Sequence, residues 1–170
     1  GVEGQMTTVK EGGTGSVSER DTQPDFMPDR FEPGSHNTIG LIGLSEGVNH
    51  VLQRGVEVIW RHELGLMQTM LESLTEWGEM PGFHLYGPPT VKDRCGVFSV
   101  RIDGFDDPAA LADVLENDYG ILTRPGLHCA PGAHATIGTA EYGGTTRFSF
   151  GPFLRVQDVK YAADALGQTR

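Results

Sequence analysis

The sequence predicts an α+β fold: a small, mostly antiparallel sheet with helices on one face, preceded by a long helix and an irregular, glycine-rich N-terminal stretch. Three observations predict it. Apolar residues recur at helical spacing over residues 56–77, far longer than any strand. Residues 96–102 alternate between apolar and polar as a half-buried strand does. The elements read in the order helix, helix, strand, strand, helix, strand, loop, strand, helix, with no internal repeat.

Residues 1–37 show neither period, and their glycines and polar turns cannot build a core. After Pro24, Pro28 and Pro33, Asn37 caps a helix whose apolar positions are Ile39, Ile42, Val48, Val51 and Leu52, ending near Gly55. The second helix carries a broad stripe of Val56, Ile59, Trp60, Leu64, Met67, Met70, Leu71 and Leu74, expected to be core, and is stopped by Gly78 and Pro81-Gly82. Residues 83–86 form a short strand closed by Gly87-Pro88-Pro89, and the next strand turns Phe98, Val100 and Ile102 to one face. Asp106-Asp107-Pro108 starts a helix that Gly120 ends. Residues 121–124 and 145–150 are read as strands flanking a loop, and residues 156–166 as a closing helix with Val159, Ala162, Ala163 and Leu166 on one side.

Composition narrows the function. A chain of 170 residues can bury one good core, although 38% apolar residues is slightly low. Thirteen basic residues against 23 acidic ones, a formal charge of −10, argue against nucleic acid or an anionic membrane as partner. Apolar runs fall short of the ~20 residues that cross a bilayer, and the start does not read as a leader. Two cysteines do not make a disulfide framework. The expectation is a cytoplasmic protein with reduced thiols.

The chemistry concentrates in Arg124-Pro125-Gly126-Leu127-His128-Cys129, with Arg147 on the following strand. A free thiol titrates near ~8.5, and cationic neighbours raise its thiolate fraction. His128 titrates near neutrality and could stabilise that thiolate or move protons. The guanidinium of Arg147 is a two-pronged fork for a carboxylate. Cysteine with a carboxylate clamp suggests sulfur chemistry on an amino acid.

Five segments occur in a fixed order across residues 11–155: Gly12-Gly13-Thr14-Gly15-Ser16 with Ser18-Glu19; Gln23-Pro24-Asp25; Phe31-Glu32-Pro33-Gly34-Ser35-His36-Asn37-Thr38; the cysteine loop; and Thr145-Thr146-Arg147-Phe148-Ser149-Phe150-Gly151. In these the chain resembles the C-terminal part of the cysteine desulfurase and selenocysteine lyase group, within the class V, fold-type I aminotransferases that use pyridoxal phosphate. The resemblance implies that Cys129 is the nucleophile that attacks the sulfur of cofactor-held cysteine, keeping a persulfide and releasing alanine. It implies that Arg147 holds the substrate carboxylate and that Arg124 contacts substrate or biases the thiol. Gly34-Ser35 matches a Gly-Thr pair that reaches the cofactor phosphate of the partner subunit in a homodimer; serine keeps the hydroxyl donor. Gly13 and Thr14 would line the same interface.

The family's cofactor lysine sits in a His-Lys pair. Here Lys10, Lys92 and Lys160 all follow valine. The expectation is therefore a C-terminal portion beginning after the Schiff-base lysine. Residues 1–37 would be a remnant of the cofactor-binding large domain, and 38–170 the small domain with its connecting helix. The chain by itself would be inactive. The substrate would be L-cysteine or selenocysteine, with a sulfur-acceptor protein as a further partner.

Plainer readings stand beside these. Cys129 could be a buried inert thiol, Arg147 a solvated strand arginine, Arg124 a surface partner of Asp118 or Glu116, and Gly34-Ser35 an ordinary turn. Cys95 is expected to be a half-buried hydrophobe. A zinc site of His128, Cys129 and His134 lacks the paired spacing of structural zinc, and no metal is expected. The rival functions are a class V aminotransferase-like lyase, a non-catalytic binding module, and a thiol carrier using Cys129 alone.

Overall fold

Helical spacing in the first half of the chain yields two helices, α1 (Thr38–Arg54) and α2 (Val56–Thr75), in a computed structural model that describes residues 1–75, 81–105 and 107–169. The chain divides into two compact units, Gly1–Gln53 and Arg54–Arg170. In the first, short 3-10 turns at Glu3–Gln5 and Asp29–Phe31 interrupt irregular backbone before α1. Asn37 caps α1 as expected, its Oδ1 accepting the Gly40 amide at 3.0 Å.

The second unit is an α+β layer. Its sheet is wholly antiparallel in the order β1-β2-β4-β3, from Phe83–Tyr86 (β1), Val97–Ile102 (β2), Arg124–Gly126 (β3) and Thr145–Ser149 (β4). The alternation read from β2 holds: Phe98, Val100 and Ile102 are buried. They join Phe148, the C-terminal half of α2, and residues of α3 (Pro108–Tyr119) and α5 (Val156–Gln168) in one apolar cluster, so the helices cover one face. Each such large side chain contributes about 1.5–3 kcal/mol when fully buried. Directed hydrogen bonds set how the layers meet: Thr146 Oγ1 donates to the Pro108 carbonyl at 2.8 Å, His62 Nε2 to the Leu154 carbonyl at 2.8 Å, and Tyr161 to the Tyr119 carbonyl at 2.9 Å.

Four expectations need correction. Only Leu66, Met67, Met70, Leu71 and Leu74 of α2 are buried; Val56 and Trp60 at its start are exposed, because the core cluster reaches only the later turns. The third strand is not 121–124 but Arg124–Gly126, since pairing with β4 begins only at Arg124. Pro125 is tolerated there because β3 is an edge strand. Part of the expected loop is helical, as α4 (Pro131–Thr136) and a 3-10 turn at Ala140–Tyr142. Cys95 is exposed rather than half-buried. Its neighbour Arg94 takes the interior position instead, donating to the carbonyls of Pro88, Val97 and Tyr86 and lying over the Phe98 ring at 4.6 Å. The expected stop at Gly78 and the start signal at Asp106 lie outside the described residues.

Candidate active site

The thiol loop is built where α3 ends and the sheet edge begins. Gly120 takes a left-handed conformation at φ 66°, and its amide and that of Ile121 cap the last carbonyls of α3. The chain then joins β4 in a register that sets Arg124 opposite Arg147, with Ser99 on the other side of Arg147. Directly paired residues share a face, so both guanidiniums stand on the face away from Phe98, Val100 and Phe148. Two like charges directly opposed destabilise a sheet unless an anion joins them. Arg147 Nε is moreover buried with no hydrogen-bond partner.

Beyond Gly126 the backbone makes a turn that few side chains tolerate. His128 and Cys129 are consecutive non-glycine residues with φ of 54° and 60°. The Ala130 amide closes this turn on the Leu127 carbonyl at 2.8 Å. Cys129 is exposed, and Arg124 Nη2 donates to its sulfur at 3.3 Å. The alternative reading, a surface pair of Arg124 with Asp118 or Glu116, does not appear among the ion pairs of the described residues. His128 Nε2 donates to the Arg124 carbonyl at 2.8 Å, and its Nδ1 lies 3.3 Å from His134 Nε2. Burial holds the His128 pKa below the ordinary imidazole value; the charges of Arg147, His134 and Arg124 add to this, while the bond to the Arg124 carbonyl opposes it.

Four sequence-predicted residues, Cys129, His128, Arg124 and Arg147, are thus brought together by the β3–β4 pair and the turn that follows β3. The other two, Gly34 and Ser35, lie in the N-terminal unit. There Gly34, at φ 81°, donates its amide to the Gly13 carbonyl at 2.9 Å, and the two backbones are in van der Waals contact. The Thr14 hydroxyl is likewise committed, accepting the Val17 amide at 2.8 Å. Ser35 is exposed, and its amide and hydroxyl have no partner among the described residues. His36 pairs with Glu32 at 3.3 Å.

The residue that sequence reasoning undervalued is His134, buried behind His128. Its signal was Pro131, a residue suited to the first turn of a helix, which carries His134 three positions later. Among the described residues, no group of three or more His, Cys, Asp or Glu is arranged to hold a metal ion. None of the described helices is long and apolar enough to cross a membrane.

Known proteins share this arrangement of elements. The sequence profile of the class V aminotransferases matches residues 2–162. A probable cysteine desulfurase of Methanothermobacter thermautotrophicus is 27% identical over 167 residues, which are 97% of this chain and 40% of the relative. A cysteine desulfurase of Pectobacterium atrosepticum is 41% identical over 103 residues, 61% of this chain and 23% of the relative. Among solved structures, the apo cysteine desulfurase of Thermococcus onnurineus NA1 superposes with a TM-score of 0.74 at 30% identity, covering 86% of this chain and 34% of that one. The chain therefore spans well under half the length of these relatives.

Proposed function

The chain belongs to the class V aminotransferase family, and we propose that it is the C-terminal portion of a pyridoxal-phosphate-dependent cysteine desulfurase. One observation carries the reading: an exposed Cys129 sulfur receives a hydrogen bond from Arg124, whose cross-strand neighbour Arg147 has an unpartnered buried nitrogen. In this reading residues 1–37 are a remnant of the cofactor-binding large domain and 38–170 the small domain.

The residues present fit the phosphate end of the cofactor in part. Ser35 offers a free amide and hydroxyl, whereas the Gly34 amide is already bonded to Gly13. Gly34 then serves by its left-handed turn, which presents Ser35. The attachment lysine is not among Lys10, Lys92 and Lys160. When bound in the complete enzyme, the cofactor would act as an electron sink for the substrate carbon skeleton.

The chain's own residues supply orientation and the nucleophile. Arg147, with Arg124 beside it, takes the α-carboxylate of L-cysteine, which relieves the opposition of the two guanidiniums. The Cys129 thiolate attacks the substrate sulfur. A sulfur–sulfur bond forms as the carbon–sulfur bond breaks, its electron pair stays with the three-carbon skeleton, and that skeleton takes up protons and leaves as alanine. Cys129 keeps the persulfide, and its exposure leaves that sulfur open to an acceptor protein. A homodimer in the cytoplasm completes the proposal. Selenocysteine would present the same carboxylate and a larger chalcogen.

The test is made on the complete enzyme loaded with cofactor. Wild type should release alanine from L-cysteine and gain the mass of one sulfur on Cys129, and Cys129→Ala should lose both. Desulfuration that survives Cys129→Ala would refute the assignment and favour a lyase that works without the thiol.

A further inference from the structure

Behind the thiol loop stands a buried histidine to which the proposed chemistry gives no role. His134 is 4% exposed and Thr139 is fully buried. His134 Nδ1 lies 2.7 Å from the Thr139 hydroxyl and its Nε2 lies 3.3 Å from His128 Nδ1; His128 Nε2 reaches the Arg124 carbonyl at 2.8 Å.

These contacts dictate where the hydrogens sit. A carbonyl only accepts, so His128 Nε2 carries the hydrogen. In a neutral imidazole the other nitrogen then accepts, which requires Nε2–H on His134. His134 Nδ1 in turn accepts from the Thr139 hydroxyl. With both rings neutral, only this arrangement satisfies all three contacts. A proton added to His128 would oblige His134 to present a bare Nε2 and to turn Nδ1–H toward Thr139. The threonine hydroxyl would then fall back on the His134 carbonyl at 3.4 Å, a poorer bond.

We infer that His134 and Thr139 are positioning residues: they hold His128 in its Nε2–H tautomer and, through the bond from His128 to the Arg124 carbonyl, fix the left-handed turn that sets Cys129 against Arg124. Naming that thiol a nucleophile rests on the desulfurase reading; the brace itself does not. Consecutive left-handed residues persist only where their surroundings over-determine them, and the hydrogen-bonded chain from Thr139 to Arg124 does so here. The groups facing His128 are Arg124 on β3, Arg147 on β4 and His134 on α4. Two of them are permanent cations, which oppose a proton on His128 and so favour the arrangement in which its ring is neutral.

Nitrogen-15 NMR of the imidazoles in this chain reads the tautomers directly, and alkylation of Cys129 in a Cys95→Ser background reads the loop. Both His128 and His134 should show Nε2–H in the slightly alkaline range. His134→Leu removes one of the two bonds that hold the tautomer and leaves only the Arg124 carbonyl, so His128 should gain a detectable Nδ1–H population and alkylation at neutral pH should change by about fivefold, the equivalent of one hydrogen bond. His134→Gln, whose amide can still donate to His128, should keep the original rate. If His134→Leu does not fold, the near-isosteric Thr139→Val removes one of the two bonds that hold the His134 tautomer and should give His134 a detectable Nδ1–H population. An Nδ1–H form of either ring in the unsubstituted chain would overturn the inference, as would a folded His134→Leu with unchanged tautomers and alkylation profile. Failure of the desulfurase reading looks different: no sulfur reaches Cys129 in the complete enzyme, while tautomers and alkylation behave as stated.

Discussion

Arg124 and Arg147 face one another across two strands, and a polar atom of Arg147 is buried without a partner. That is a cost which a carboxylate would relieve, so Arg147→Gln should move stability and activity in opposite directions. We expect the unliganded chain to gain a few tenths to about 1 kcal/mol in urea unfolding as the like-charge contact goes. In the complete enzyme kcat/KM for L-cysteine should fall roughly 10- to 100-fold, the loss of a charged hydrogen-bonding partner. A variant that loses stability would show Arg147 to be an ordinary strand residue. His128 adds a pH dependence. Its folded-state pKa lies below the ~6.5 of an exposed imidazole, so on acidification the unfolded chain binds the proton first. Its contribution to stability is whole above about 6.5, falls as pH drops below that value, and levels off once the folded-state pKa is passed. His128→Gln should flatten this acid-side loss, measured as the urea midpoint against pH. At this scale the sequence was informative about chemistry and poor about contact. The Arg-Pro-Gly-Leu-His-Cys run and Arg147 were legible because cations around a thiol are unusual. The hydrogen bonds of His134 were not, because they depend on a turn whose left-handed residues carry no glycine signal.

Elements with a strong period or a cap were read within a residue or two. Asp107 accepts the Ala109 and Ala110 amides at 2.8 and 2.9 Å, and Asp107→Ala should cost about 1 kcal/mol by urea denaturation without altering the thiol loop. What the period could not supply was β3, whose three residues are Arg, Pro and Gly and carry no alternation at all. Only β4 defines that strand, and one glycine permits the approach. Gly144 sits at φ 107°, and a Cβ there would be 2.1 Å from the Gly126 carbonyl oxygen and 2.9 Å from the Leu127 amide nitrogen. Both obstacles are backbone, so neither can rotate away. Gly144→Ala should therefore cost about 3 kcal/mol or more, combining a left-handed penalty with displacement of β3. The loop beginning at Leu127 hangs from that strand, so Cys129 alkylation should also lose its distinctive rate. A variant of unchanged stability would mean that β3 does not pair as described.

At the scale of the whole molecule, apolar residues at helical spacing in α1 were legible as a helix but not as a surface. None of its residues is buried; Ile39 is 86% and Leu52 74% exposed, and Val56 at the start of α2 is 65% exposed. Amphipathic periodicity says that a face will be covered and is silent on what covers it. The relatives are more than twice as long as this chain. Two behaviours follow for the chain on its own. Given pyridoxal phosphate and L-cysteine it should give no steady alanine release, because none of its lysines stands in the expected pair. It should also bind an apolar dye and self-associate through this face, against the mutual repulsion of a formal charge of −10. Replacing Ile39 and Leu52 together by glutamine should lower dye binding and leave the urea midpoint of the core within the ±0.5 kcal/mol usual for exposed sites. A destabilisation of about 2 kcal/mol or more, with dye binding unchanged, would mean that α1 is packed in solution and that the exposed face belongs elsewhere.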